Sequence, residues 1–188
     1  MKNIALIVAV ALVSLAGGFF LNQWYSQGGT LALKQTNAAI SSPANNSVQQ
    51  PMQRPNFALP DVQGHLHHMK EWDGKVIMLN FWATWCPPCQ REMPEFVKLY
   101  KDYKAKGFTI VGVAVDEKQP VAEFIKSLGV DYPILVGNRG GIVISQKLGN
   151  DMGVLPYTVI IDRKGHVVSE HPGGLSYQQA EALIKPLL

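Results

Sequence analysis

The stretch that decides the fold is NFWATWCPPCQREMP, residues 80–94. It holds both cysteines of the 188-residue chain, Cys86 and Cys89, separated by two prolines. The apolar run before them, residues 76–82, has the length and the β-forming composition of a strand buried on both faces. After them, the apolar residues of 96–103 recur at helical spacing. The cysteines are therefore predicted to lie where a buried strand gives way to a helix.

Four interpretations of the cysteine pair compete: a structural disulfide or two buried thiols, a zinc site, a copper(I) site, and a redox dithiol. Zinc needs four ligands, and the chain has no second cysteine pair. A copper(I) site formed by the two thiolates is possible, but such a site does not require prolines between them. The redox interpretation is favoured because the pair opens a helix directly after a buried strand. Pro87 falls at the first helical position, where its missing N–H is tolerated.

The predicted positions assign the two thiols different roles. As N-cap, Cys86 faces the positive end of the helix dipole, which favours the thiolate and makes it the attacking nucleophile. Cys89, one turn inside, then resolves the mixed disulfide. Pro87 and Pro88 remove two N–H donors to the Cys86 sulfur. Only the N–H of Cys89 remains, so a reducing potential is predicted.

Glu92 lies three residues after Cys89 and shares its helix face. A carboxylate there can take the proton from Cys89 as it attacks. The alternative is a solvated glutamate beside Arg91, and spacing alone leaves both interpretations open.

In the rest of residues 56–188, segments typical of strands alternate with segments typical of helices. This order predicts an α/β sheet with helices on both faces. Strands are predicted at 57–59, 108–115, 132–136, 158–161 and 166–168. Helices are predicted from 121 to 128, from 142 to 148, and after Ser176 as N-cap.

Residues 1–21 are predicted to form a transmembrane signal anchor. The run from Ile4 to Leu21 has no charged residue and would span about 27 Å as a helix. Lys2 precedes it, which predicts a cytoplasmic amino terminus and an exported domain. A cleaved signal peptide is the alternative. Residues 22–55, rich in Gln, Asn, Ser, Gly and Pro, are predicted to be a flexible linker.

The net charge of +3 is modest and scattered, so nucleic acid is not an expected partner. His65, His67 and His68 follow a glycine turn and are interpreted as surface histidines. No metal and no cofactor are expected.

The sequence around the two cysteines, residues 80–94, resembles the thioredoxin superfamily. Within that superfamily it is similar to the membrane-anchored TlpA-like and ResA-like thiol–disulfide oxidoreductases. The resemblance covers about residues 56–188. It rests on Trp85-Cys86-x-x-Cys89, on Glu92 and Pro94 in the pattern C-x-x-C-x-x-E-x-P, and on GVLPYTVIIDRKG, residues 153–165. The peroxiredoxin pattern fails, because Leu79 and Ala83 stand where it needs proline and threonine.

The resemblance implies a thioredoxin-like fold, with a central mixed sheet flanked by helices and an added helix and strand at residues 118–136. It implies a cis bond between Leu155 and Pro156, facing the cysteines. Those two residues and Trp85 are the implied substrate contacts. It also favours the catalytic role for Glu92, because thioredoxins have a buried aspartate where this chain has Asn80.

The expected activity is reduction of disulfides in exported proteins by a monomer tethered to the bacterial cytoplasmic membrane and facing the periplasm or outside. The expected electron donor is a membrane thiol carrier. An apocytochrome c, a copper-site precursor and a general misoxidised protein all remain open as substrates. The rival activities are disulfide oxidation or isomerisation, and copper(I) binding or delivery by the same thiols.

Overall fold

The computed structural model describes residues 51–188, a folded unit with strands and helices in alternation. Its strands are β1 (Ala58–Pro60), β2 (Leu66–His68), β3 (Val76–Trp82), β4 (Phe108–Ala114), β5 (Ile134–Val136), β6 (Tyr157–Ile161) and β7 (Val167–Pro172). Its α-helices are α1 (Pro87–Tyr103), α2 (Lys118–Leu128), α3 (Asn138–Gln146) and α4 (Tyr177–Ile184). Short 3-10 turns occur at Met69–Trp72, Lys104–Lys106 and Lys185–Leu187.

Five strands form a mixed sheet in the order β5-β4-β3-β6-β7. The β5–β4 and β4–β3 pairs are parallel, and the β3–β6 and β6–β7 pairs are antiparallel. Every residue of β3 and of β4 is buried, as their continuous apolar sequences predict. The central position of β3 therefore fixes where the cysteines that follow it lie.

Helices cover both faces of this sheet, which confirms the predicted α/β architecture. One core forms where α1, α2 and α4 pack on the face that carries Met78 and Trp82. A second core forms on the face of Ile77, Leu79 and Phe81, against α3 and the 3-10 turn Met69–Trp72. Since side chains alternate along a strand, Asn80 points to the α1 face.

Helix α3 begins earlier than predicted, at Asn138 instead of Ile142. Gly140 and Gly141 lie inside this helix. Two consecutive glycines predict a loop, because glycine has low helix propensity. Packing explains the difference. A Cβ on Gly141 would lie 3.1 Å from Val113 Cγ1 and 3.3 Å from Val115 Cγ2. The missing side chain therefore lets α3 approach β4 closely.

The hairpin β1–β2 holds the histidine tract. Asp61 Oδ2 lies 3.3 Å from His65 Nδ1 and from His67 Nε2, and His67 Nδ1 lies 2.8 Å from Glu71 Oε2. The hydrogen bond to Glu71 raises the pKa of His67. Both ring nitrogens of His67 thus face carboxylates. In residues 51–188 no group of His, Cys, Asp or Glu side chains is arranged to hold a metal ion.

The predicted membrane anchor, residues 1–21, and the predicted linker as far as residue 50 lie outside the described residues. Within residues 51–188 none of the helices has the length and apolar character needed to span a bilayer. The chain contacts the folded domain from Met52 onward, because Val167 N donates to Met52 O at 2.8 Å.

Candidate active site

Cys86 and Cys89 form a disulfide at the start of α1. Cys86 is the N-cap, with extended backbone angles, and Pro87 opens the helix, as the sequence predicts. Both residues are buried: Cys86 keeps 4% of its surface exposed and Cys89 keeps none. The sulfur that a substrate can reach is therefore that of Cys86.

The backbone around Cys86 supplies its sulfur with one donor. Cys89 N donates to Cys86 Sγ at 3.4 Å. Pro87 and Pro88 occupy the two positions between them and have no N–H. The helix start therefore stabilises a Cys86 thiolate less than a loop with further N–H donors would.

Glu92 lies one turn further along α1 with 3% of its surface exposed. Asn80 Nδ2 donates to its Oε1 at 2.9 Å, and Leu175 N donates to its Oε2 at 3.0 Å. Burial raises the pKa of Glu92 to about 7, against the opposing effect of these two hydrogen bonds. A carboxyl with this pKa can accept or release a proton near neutral pH.

The two groups that donate hydrogen bonds to the Glu92 carboxyl belong to other elements of the fold. The amide of Asn80 also donates to Thr158 Oγ1 on β6, at 3.0 Å. Leu175 lies between β7 and α4. The alternation along β3 places Asn80 on the α1 face, but the Leu175 contact has no sequence signal, because any residue can donate a backbone N–H.

A shallow groove of about 510 Å³ leads to Glu92 between α1 and the segment before α4. Pro88, Arg91 and Gly174 are among the residues that line it. A Cβ on Gly174 would lie 3.8 Å from Glu92 Oε2 and 3.9 Å from Pro88 Cβ. The bare glycine therefore leaves the carboxyl reachable from the surface, despite its burial.

The loop between β3 and Cys86 is held by Asp116, a residue that the sequence analysis missed. Thr84 N donates to Asp116 Oδ2 at 3.0 Å, and Thr84 Oγ1 donates to the same oxygen. On the other side, Gln90 Nε2 of α1 donates to Thr84 O at 2.5 Å. Thr84 is thus fixed to the end of β4 and to the first turn of α1, which positions Trp85 and Cys86.

Replacing Asp116 with alanine is expected to destabilise the protein by about 1–3 kcal/mol, because a partly buried N–H and a hydroxyl lose their acceptor. Asp116→Asn keeps an acceptor oxygen and is the matched control. Urea unfolding of both variants measures the effect. Equal stability of Asp116→Ala and the wild type would contradict the role given to this contact.

The predicted substrate contacts differ in exposure. The indole of Trp85 is 65% exposed, which suits a contact with a partner protein. The Leu155–Pro156 bond is cis, as the resemblance implies. Because Phe81 pairs with Tyr157, Pro156 lies beside the end of β3, near the loop that leads to Cys86. Pro156 itself is buried and Leu155 is partly buried.

The sequence profile of the redoxin family matches residues 48–184. The chain belongs to the redoxin family. Among its relatives is the thiol–disulfide oxidoreductase ResA of Halalkalibacterium halodurans, 38% identical over 70% of this chain and 74% of the relative. A ResA of Bacillus cereus is 33% identical over 99% of this chain and 98% of its own.

A solved structure supports the same assignment. The thiol:disulfide interchange protein of Chlorobium tepidum, a thioredoxin family protein, aligns with a TM-score of 0.67 and 30% identity over 73% of this chain and 97% of its own. This redoxin therefore has a thioredoxin-like α/β fold and is a ResA-like thiol–disulfide oxidoreductase, an enzyme that can reduce protein disulfides. Members of such a family act on protein substrates and exchange electrons with redox partners.

Proposed function

We propose that this redoxin works as a reductant outside the cytoplasm, tethered to the membrane by residues 4–21, and reduces disulfides in exported proteins. The observation that carries the reducing direction is the single N–H donor at the Cys86 sulfur. A thiolate with few donors leaves the reduced form less stabilised, and the dithiol then gives up its electrons more readily.

The chemistry follows from the positions of three groups. The Cys86 thiolate attacks one sulfur of a substrate disulfide, forms a mixed disulfide and releases the first substrate thiolate. The Cys89 thiol gives its proton to the Glu92 carboxylate and attacks Cys86 Sγ. The second substrate thiolate leaves, and two electrons have passed from the enzyme to the substrate. A dithiol donor then reduces the Cys86–Cys89 disulfide again.

The redox potential is expected to lie nearer that of thioredoxin, about −270 mV, than that of a strong oxidant such as DsbA, about −120 mV. Equilibration of the protein with defined glutathione mixtures measures it. A value near the oxidant end would overturn the reductant role and favour the rival oxidant or isomerase.

Pro88→Ala tests the physical reason, since it restores one N–H next to the sulfur. A hydrogen bond to a charged group contributes about 1.5 kcal/mol, and about 1.4 kcal/mol corresponds to 30 mV in this couple. The variant is therefore expected to be more oxidising by about 30 mV. Pro94→Ala, which changes an exposed proline of the same helix away from the sulfur, is the control.

The tether is proposed from the uncharged apolar run, residues 4–21. The full-length protein is expected in the membrane fraction, resistant to extraction by salt and alkali, and a variant that lacks residues 4–21 is expected in the soluble fraction. N-terminal sequencing completes the test. The candidate cleavage site is the small-x-small sequence Ser14-Leu15-Ala16. A soluble product that starts at Gly17 would show that the segment is a cleaved signal peptide.

Copper(I) binding is the rival from another class. Titration of the reduced protein with copper(I) distinguishes it from disulfide exchange. Stoichiometric tight binding together with failure to reduce a protein disulfide would replace the proposed function.

A further inference from the structure

The edge of the sheet opposite the cysteines carries a group of basic side chains. β3 and β4 are parallel and begin at this edge, directly after Lys75 and two residues after Lys106. β6 runs the other way, so its turn to β7 brings Arg163 and Lys164 to the same edge. We call Lys75, Lys106, Arg163 and Lys164 the basic pole. The seven residues of β3 place it about 20 Å or more from the cysteines.

Hydrogen bonds join these residues into one surface. Arg163 Nη1 donates to Gly74 O at 3.2 Å, and its Nη2 donates to Lys106 O at 3.0 Å. One guanidinium thus connects the chain before β3 with the chain before β4. All four side chains of the basic pole are exposed.

The positive charges of the basic pole are only partly offset by neighbouring carboxylates. Within residues 51–188 none of its four side chains forms a salt bridge, whereas the neighbouring Arg54 pairs with Asp73 and Lys104 pairs with Asp131. Asp162 accepts hydrogen bonds from the backbone of its own turn, at Lys164 N and His166 N. Lys106 Nζ lies 4.5 Å from the centroid of the Tyr103 ring and is close enough to Asp102 to interact with its carboxylate. These carboxylates offset part of the positive charge, and the remaining excess faces the solvent at this edge.

The domain as a whole is nearly neutral, so the basic pole is a local concentration of positive charge and does not reflect an overall excess. Residues 51–188 contain all 14 acidic residues of the chain and 15 of its 17 basic ones. At the cysteine end the two signs alternate: Asp116 and Glu117 are followed by Lys118, and Glu95 lies one turn after Arg91 on α1. A domain with this distribution is oriented by an electric field, even at low net charge.

The chain also enters the domain at the basic pole. Arg54 N donates to Gly165 O at 2.9 Å, and Gln53 Nε2 donates to Lys164 O at 3.2 Å. The proposed anchor, residues 4–21, precedes this entry by about 30 residues, a linker with a root-mean-square span of about 30 Å if flexible. The tether would thus keep the basic pole within reach of the membrane surface.

We propose that the basic pole binds an anionic phospholipid surface, so that the cysteine end points away from the membrane. The proposal rests on the tether of the proposed function but is independent of the reductase activity. Each Lys or Arg close to an anionic surface contributes a factor of about five to binding. Four such residues at the point where the chain enters select one orientation of the domain.

The test measures lysine reactivity in the full-length protein, inserted in nanodiscs of zwitterionic lipid alone or mixed with anionic lipid. An amine-acetylating reagent and mass spectrometry give a rate for each lysine. Acetylation of Lys75, Lys106 and Lys164 is expected to slow about fivefold in the anionic discs only. It is expected to recover at about 1 M salt, where the Debye length is about 3 Å. Exposed lysines elsewhere are internal controls and are expected not to change: Lys118 and Lys147.

A pair of matched variants tests the charge directly. One carries glutamine at the three lysines of the basic pole: Lys75→Gln, Lys106→Gln and Lys164→Gln. The control carries glutamine at three exposed basic residues away from the pole: Lys118→Gln, Arg139→Gln and Lys147→Gln. An arginine-selective dicarbonyl then reports on Arg163. Protection of Arg163 in anionic discs is expected in the wild type and the control variant, and its loss is expected in the pole variant. Both variants are expected to reduce insulin disulfides at the wild-type rate.

Equal lysine reactivity in the two kinds of disc would overturn the proposal. Protection that appears only in native membranes and does not depend on lipid charge would also overturn it, in favour of an acidic protein partner. Loss of reductase activity with intact protection would count against the proposed function and leave the orientation standing.

Discussion

Replacing Cys89 with serine is expected to convert the enzyme into a trap for its substrates. Cys86 keeps its position as N-cap and can still form a mixed disulfide, but no thiol remains to resolve it. Turnover in an insulin-reduction assay is expected to fall by roughly a thousandfold or more, since the two thiols act as a unit. Serine differs little in volume from cysteine, so the fully buried site should still fold.

The matched control is Cys86→Ser, which leaves the inaccessible thiol alone. Non-reducing gels of membranes from cells that carry each variant are expected to show mixed disulfides with Cys89→Ser and none with Cys86→Ser. Mass spectrometry of the trapped species would identify the substrates. Equal trapping by the two variants would show that Cys89 is as accessible as Cys86 and would overturn their assigned roles.

Changing Glu92 to glutamine is expected to remove a pH dependence of stability. The folded protein binds the Glu92 proton more tightly than the unfolded chain, because the pKa rises from 4.5 to about 7. The resulting stabilisation is complete below about pH 4.5 and is lost as the pH rises through about 7. It amounts to about 3 kcal/mol for this buried group. The free energy of unfolding of the oxidised protein in urea, at pH 5 and at pH 8, measures the change.

Glu95→Gln is the control, since Glu95 is exposed on the same helix. The raised pKa of His67 acts in the same direction as that of Glu92, so the quantity to compare is the difference between variant and wild type at each pH. Glu92→Gln is also expected to slow resolution by Cys89 and to shift the pH profile of Cys86 alkylation. Profiles that superimpose on the wild type would make Glu92 a bystander, and the proton would need another route.

The sequence was sufficient to predict the elements whose signal is local. The buried run of β3, the N-cap at Cys86 and the capping residue Ser176 each depend on a few consecutive residues, and the structure has all three. Helix α3 begins earlier than the sequence predicts, because its glycines have poor helix propensity, and only the close contact with Val113 explains Gly141. Propensity is local, whereas that contact joins two distant parts of the chain.

The candidate site shows the same division. Cys89 and Glu92 lie within α1 and Cys86 is its N-cap, so spacing alone could group them. The contacts that hold them come from elsewhere: Asp116 fixes Thr84 from the end of β4, and Leu175 donates a backbone N–H to Glu92. Neither contact follows a pattern of residue types. Their prediction requires the order and register of the strands.

The long-range contacts of Glu92 have a consequence for the nascent chain. Its carboxyl is held by Asn80, 12 residues earlier, and by Leu175, 83 residues later. Because the chain is synthesised from its N-terminus, both cysteines leave the ribosome well before Leu175 does. Until α4 docks, the thiols have no buried acid beside them and should react with oxidants like those of an unstructured peptide. The redox centre is thus completed last, by the carboxy-terminal segment.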